Sequence, residues 1–144
     1  MIYLDGSCLL KLLLIEPESE AVREAVALED DVVVSALTEL ETTVQLRAGR
    51  LGAAFRERRY RAYLGQLEAF RQLDPFRFVP LPGEVLRTAL RQHQSGRQPH
   101  CRSLDRLHLA AMEELGLRRL MTNDAAQATG AQGLGFEVLR PGHP

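Results

Sequence analysis

The chain opens with an unbroken apolar run, Ile2-Tyr3-Leu4, that stops at a carboxylate, Asp5, before Gly6, Ser7 and a longer apolar stretch from Cys8 to Ile15. A short run followed by a longer one predicts a buried strand, Met1 to Leu4, and then a helix. Pro17-Glu18-Ser19-Glu20 breaks the pattern and leads into a second helix, Ser19 to Leu28, whose acids suit a first turn. The β-branched run Val32-Val33-Val34 reads as another buried strand. Ser35 to Arg47 has helical spacing of Leu37, Leu40, Val44 and Leu46, closed by Gly49. Leu51 to Leu73, with Phe55, Leu64, Leu67 and Phe70, reads as its antiparallel helical partner, stopped by Pro75. Phe76 to Leu81 predicts a short strand, and Glu84 to Gln92 a helix with Val85, Leu86, Ala89 and Leu90 inward. His93 to Arg102 is polar, contains Gly96 and Pro99, and reads as a mobile loop. Ser103 is placed to cap a helix from Leu104 to Leu115 that Gly116 ends. Leu117 to Met121 is a strand, Asp124 to Gly133 a helix and Phe136 to Leu139 a last strand. Strands and helices alternate throughout, which calls for an α/β fold with a parallel sheet covered on both faces.

Composition adds limits. At 144 residues, with 45% hydrophobic and 26% charged side chains, the chain reads as one domain, residues 1–144, with a substantial core. Two cysteines, Cys8 and Cys101, are too few for a disulfide scaffold, so a cytoplasmic location is the simple reading. The most apolar segment, Leu9 to Ile15, carries Lys11 and falls short of the roughly 20 residues a membrane span needs. No signal peptide is indicated. The net charge of −1 gives no global sign of nucleic-acid binding. Locally, however, seven arginines crowd between Arg47 and Arg71 against Glu57 and Glu68. An arginine fork suits phosphates, and a solvated helix face accounts for the cluster equally well.

Four carboxylates fall at comparable places. Asp5 ends the first strand, Glu41 lies in the first turn of the helix after Val32 to Val34, Asp105 in the first turn after the polar loop, and Asp124 after the strand ending at Met121. In a parallel sheet these positions share one edge, where ligands bind. Mutual repulsion there calls for divalent cations, and oxygen ligands suit Mg²⁺ or Mn²⁺. Each acid except the first has a plainer alternative. Thr38 and Glu41 fit a capping box, Ser103 and Asp105 could serve a helix start, and Asp124 an N-cap. No cap accounts for Asp5, because Ser7 is available to start the helix. Glu39 competes with Glu41, and spacing does not decide between them. His108 could serve as a ligand or base but reads first as a core histidine with one backbone partner, and Cys8 reads as a small core residue.

In these segments the chain resembles the PIN-domain nucleases, and among them the toxins of VapC type. The resemblance rests on Tyr3-Leu4-Asp5-Gly6-Ser7, Ser35-Ala36-Leu37-Thr38-Glu39-Leu40-Glu41, Ser103-Leu104-Asp105-Arg106-Leu107-His108-Leu109-Ala110-Ala111 and Met121-Thr122-Asn123-Asp124, in that order. It implies a three-layer sandwich with a central parallel sheet of four to five strands flanked by helices, forming a single PIN domain. It places catalytic acids at Asp5, Glu41, Asp105 and Asp124, with Asp5, Asp105 and Asp124 as metal ligands, and favours Glu41 over Glu39. Ser7, Thr122 and Asn123 fall in supporting positions. Gly6 departs from the pattern, which often has Thr or Ser there. The resemblance further implies a Mg²⁺ or Mn²⁺ dependent endoribonuclease, a toxin held as a homodimer and silenced by a small cognate antitoxin protein, with no membrane association. Arg47, Arg50 and Arg58 would then touch RNA, the antitoxin or the dimer partner.

Other readings compete. A haloacid-dehalogenase-like phosphatase needs a second Asp where Ser7 stands, and a receiver domain needs a late lysine, whereas Lys11 is the only one here. A non-catalytic binding module on the same fold, and an RNA-processing nuclease without an antitoxin, remain as alternatives.

Overall fold

Twelve elements follow one another in the computed structural model, which describes residues 1–95 and 97–143. They are β1 (Ile2–Leu4), α1 (Gly6–Leu13), α2 (Ser19–Ala27), β2 (Val32–Ser35), α3 (Ala36–Leu51), α4 (Glu57–Phe70), β3 (Phe76–Val79), α5 (Val85–Gln94), α6 (Ser103–Glu114), β4 (Arg119–Met121), α7 (Ala125–Gly133) and β5 (Glu137–Leu139). The five strands form one sheet in the order β3-β2-β1-β4-β5, every pairing parallel. β1 is therefore central, and the chain steps from it to one side for β2 and β3, then to the other for β4 and β5. The reversal opens a crevice at the carboxyl ends of β1 and β4, the place where parallel α/β sheets bind ligands.

Strand alternation assigns the two faces. Ile2, Leu4, Val32, Val34 and Met121 join Leu9, Leu12, Val22, Leu46 and Leu67 in a core under α1 to α4. Tyr3, Val33 and Leu120 join Leu109, Ala110, Met112 and Ala131 in a second core under α5 to α7. The result is a three-layer sandwich. Burying each large aliphatic side chain contributes about 1.5–3 kcal/mol. Among the described residues no helix is long and apolar enough to cross a membrane.

The order of elements matches the sequence reading, but several details differ. α1 begins at Gly6 and ends at Leu13, leaving Ile15 exposed. Gly49 does not close α3, which runs on to Leu51; a Cβ at Gly49 would stand 2.6 Å from the Phe55 ring, so the glycine admits the turn that leads into α4. On α3, Leu40 and Val44 face outward and Thr38 and Thr42 inward. On α5, Leu86 and Leu90 are likewise exposed, while Val85, Thr88, Ala89 and Gln92 pack inward. Apolar residues at i and i+4 look alike to periodicity whichever face they occupy. The polar stretch expected from His93 to Arg102 begins inside α5, and its Gly96 lies outside the described residues.

Candidate active site

Asp5 is buried at 4% exposure and serves as the N-cap of α1, contrary to the sequence expectation that no cap explains it. Its Oδ1 accepts from the Cys8 N–H at 3.1 Å and from the Ser7 hydroxyl at 2.7 Å, and its Oδ2 accepts from the Thr122 hydroxyl. Ser7 does not cap; its oxygen also accepts from the Asn123 N–H at 2.9 Å, tying the end of β1 to the turn after β4. Asn123 thus enters through its backbone. Thr122 in turn accepts from the Asp124 N–H at 3.0 Å. Burial pushes the Asp5 carboxyl above the usual range, against the opposing pull of Thr122 and Ser7.

Asp105 and Asp124 face each other across one cation. Arg102 donates from Nε to Asp105 Oδ2 at 2.8 Å, and one terminal nitrogen reaches Asp105 Oδ1 at 3.2 Å and Asp124 Oδ2 at 3.0 Å. Those hydrogen bonds and charges hold the guanidinium proton more tightly than usual. The N-cap position of α6 is Arg102 itself, with no side-chain cap, so Ser103 is the first helical residue and not the cap expected from the sequence. Asp124 does cap α7, through Oδ1 to the N–H groups of Ala126 and Gln127, and keeps Oδ2 for Arg102. Asp124 therefore caps α7 with one oxygen and pairs with Arg102 through the other.

Glu41 lies in the second turn of α3, not the first, because the helix starts at Ala36. The N-cap is Ser35, which accepts from the Thr38 N–H at 3.2 Å, so no capping box forms and Glu41 is free to project into the crevice. There its Oε2 lies 2.6 Å from Nε2 of His108. A Cβ at Gly6 would come within 2.8 Å of that same Oε2, so the glycine that departs from the family pattern makes room for the acid. Glu39 points elsewhere and pairs with Arg71. His108 is 2% exposed and has side-chain partners, Glu41 and the Tyr3 hydroxyl, instead of the single backbone partner expected.

Ser7, Glu41, Arg102, Asp105 and Asp124 line a cleft of about 470 Å³, with Asp5 behind Ser7. The sequence reading thus places all four acids at one edge of the sheet, and they gather there. It missed Arg102 and favoured a core role for His108, although each stands three residues from Asp105, the spacing that puts side chains on one helix face. Three arginines of the cluster have acidic partners: Arg50 and Arg61 share Glu57, and Arg71 pairs with Glu68 and Glu39. Arg50 pairs with Glu57 at 2.6 Å, Arg47 is exposed, and Arg58 borders a separate cleft of about 650 Å³ floored by Leu13, Phe55 and Tyr63.

Among the described residues no three acidic, histidine or cysteine side chains stand close enough to hold an ion as placed. The donor set is nevertheless suited to one. It is all oxygen, and two of its carboxylates already share a cation, the guanidinium of Arg102. Competition follows. Arg102→Ala is expected to tighten Mn²⁺ binding roughly three- to tenfold in a calorimetric titration, a modest gain because Arg102 is exposed and screened, whereas Arg102→Lys should change it less. Equal affinity in all three proteins would show that Arg102 does not compete.

A parallel five-stranded sandwich with acids gathered at its switch point defines a nuclease-like α/β domain, and residues 2–131 match the PIN domain: the chain belongs to the PIN-domain family. Over 142 residues, 97% of either chain, it is 34% identical to Ribonuclease VapC46 of Mycobacterium tuberculosis. Its fold is that of solved structures of lower identity. The VapC20 sarcin-ricin loop cleaving toxin of M. tuberculosis superposes with a TM-score of 0.71 at 17% identity, covering 98% of this chain and 100% of the other. FitAcB from Neisseria gonorrhoeae gives 0.68 at 19% identity over 100% of both chains.

Proposed function

We propose that the chain is a single-domain, divalent-metal-dependent endoribonuclease and the toxin of a toxin–antitoxin pair. The observation that carries this reading is that Glu41, Asp105 and Asp124 line one cleft, with Asp5 hydrogen-bonded behind its Ser7, in a chain 34% identical to a ribonuclease. Asp5, Asp105 and Asp124 would hold Mg²⁺ or Mn²⁺, with Arg102 swung aside. A bound ion there supplies Lewis acidity toward a phosphodiester and a lowered pKa for water. Glu41, its carboxylate turned into the cleft, orients the attacking water and accepts its proton. Ser7 and Thr122 fix Asp5 by donating to it, and the Asn123 backbone fixes Ser7. Arg102, once released, is placed to meet a phosphate, since its planar fork fits that geometry.

The expected partners are RNA, a second copy of the chain and a small antitoxin protein. The cleft bordered by Arg58, apolar at its floor and basic at its rim, suits an antitoxin segment with apolar anchors and acidic flanks better than it suits RNA. The cytoplasm, where RNA is, is the corresponding location.

The test is cleavage of a mixed RNA pool by the purified protein. Cleavage with Mg²⁺ or Mn²⁺ that stops with EDTA and returns when metal is restored is the expected result. Intact RNA under all metal conditions, with no antitoxin in the preparation, would favour a non-catalytic binding module on the same fold.

A further inference from the structure

His108 is held from both sides. Alternation in β1 turns Tyr3 away from Ile2 and Leu4, toward α6, and its phenol is fully buried. A buried hydroxyl must find partners. Its oxygen lies 2.6 Å from Ser35 Oγ and 2.7 Å from His108 Nδ1. A phenol is protonated at neutral pH, so it has a proton to donate.

Proton counting then gives the chain a direction. Thr38 uses its hydroxyl proton on the Leu4 carbonyl at 3.0 Å, and its N–H occupies a lone pair of Ser35 Oγ at 3.2 Å. For a neutral ring the contacts are satisfied when Ser35 donates to Tyr3, Tyr3 donates to Nδ1 and the Nε2–H is aimed at Glu41 Oε2 2.6 Å away. The opposite polarity would set a bare Nε2 lone pair against a carboxylate. Glu41 is confined on its other side too, where a Cβ at Gly6 would meet the same oxygen at 2.8 Å.

We propose that His108 is a positioning residue: the Ser35–Tyr3–His108 chain fixes the Nε2–H tautomer, and that N–H holds the Glu41 carboxylate in the cleft at the angle its reaction requires. The role rests on the ribonuclease reading above; the tautomer and the direction of the chain do not.

Two measurements on the intact protein separate them. In ¹⁵N-histidine NMR of the wild type, with His108→Gln assigning the resonance, His108 is expected as the neutral Nε2–H form, and Tyr3→Phe should shift it toward a mixture. An Nδ1–H form or an imidazolium would overturn the chain. In RNA cleavage with Mg²⁺, His108→Leu should lower kcat about 10- to 100-fold with KM little changed, the usual cost of losing a partner that orients a catalytic group. His108→Gln, which keeps a donor near the Nε2 position, should recover most of the rate. Melting curves identify a variant that merely unfolds. A folded His108→Leu protein that cleaves at the wild-type rate, or a His108→Gln protein as impaired as His108→Leu, would overturn the positioning role. No metal-dependent cleavage by the wild type would overturn the ribonuclease reading and with it the role, while the NMR result would still decide the chain.

Discussion

Asp5→Asn is expected to reduce metal-dependent RNA cleavage by about a thousandfold or more, several kcal/mol of transition-state stabilisation, and at the same time to leave the metal-free protein as stable as the wild type or more so. The two effects have one cause. Asp5 is buried, and its folded carboxyl titrates above its ordinary value. For such a group, folding is unpenalised below the unfolded pKa and loses stability as pH rises through the folded pKa. Asparagine has the same shape, still accepts from the Cys8 N–H, and carries no charge. In EDTA the melting temperature of Asp5→Asn should therefore match or exceed the wild type, with the gap widening as pH rises from acid toward neutral. Added Mg²⁺ should reverse the order, because only the wild type gains from binding. Asp5→Ala provides the contrast: it also discards the helix cap and should cost about 1 kcal/mol. Normal cleavage by Asp5→Asn would remove Asp5 from the site.

The second large effect separates two glutamates that the sequence leaves in competition. Glu41→Gln should lower kcat about a hundredfold or more, the scale of losing a general base. Glu39→Gln should stay within a factor of about three, because it breaks only a partly exposed pair with Arg71. Initial rates on one RNA substrate suffice to compare them. A Glu39→Gln defect larger than that of Glu41→Gln would move the acid to the opposite side of α3.

Much of this was legible in the chain. Asp5, Asp105 and Asp124 announce themselves because a carboxylate next to an apolar strand or helix demands compensation, and the strand order places them at one edge. The layering followed from alternation and period. What the sequence hid is three-dimensional pairing. Asp5 as a helix cap could not be told from Asp5 as a ligand, because both need a carboxylate at a strand end, and here the side chain caps α1. The arginine excess fitted a phosphate-binding face and a solvated one equally, and spacing did not record that Glu57 and Glu39 take Arg50, Arg61 and Arg71 as partners through contacts between turns and helices. His108 looked like filling for a core, because its partners, Tyr3 and Glu41, come from elements far away in sequence.

The placement of β4 beside β1 also bears on how the protein is made. Thr122 donates to Asp5 across 117 residues, and the N–H of Asn123 reaches Ser7 over a similar span. Closing so long a loop is slow, and it follows the local pairing of β1 with β2. While a ribosome is still adding residues before β4, Asp5 has neither its Thr122 donor nor β4 beside it. A growing chain therefore carries no assembled site, and the RNA that encodes and builds it is exposed to the finished catalyst only after the last two strands have docked.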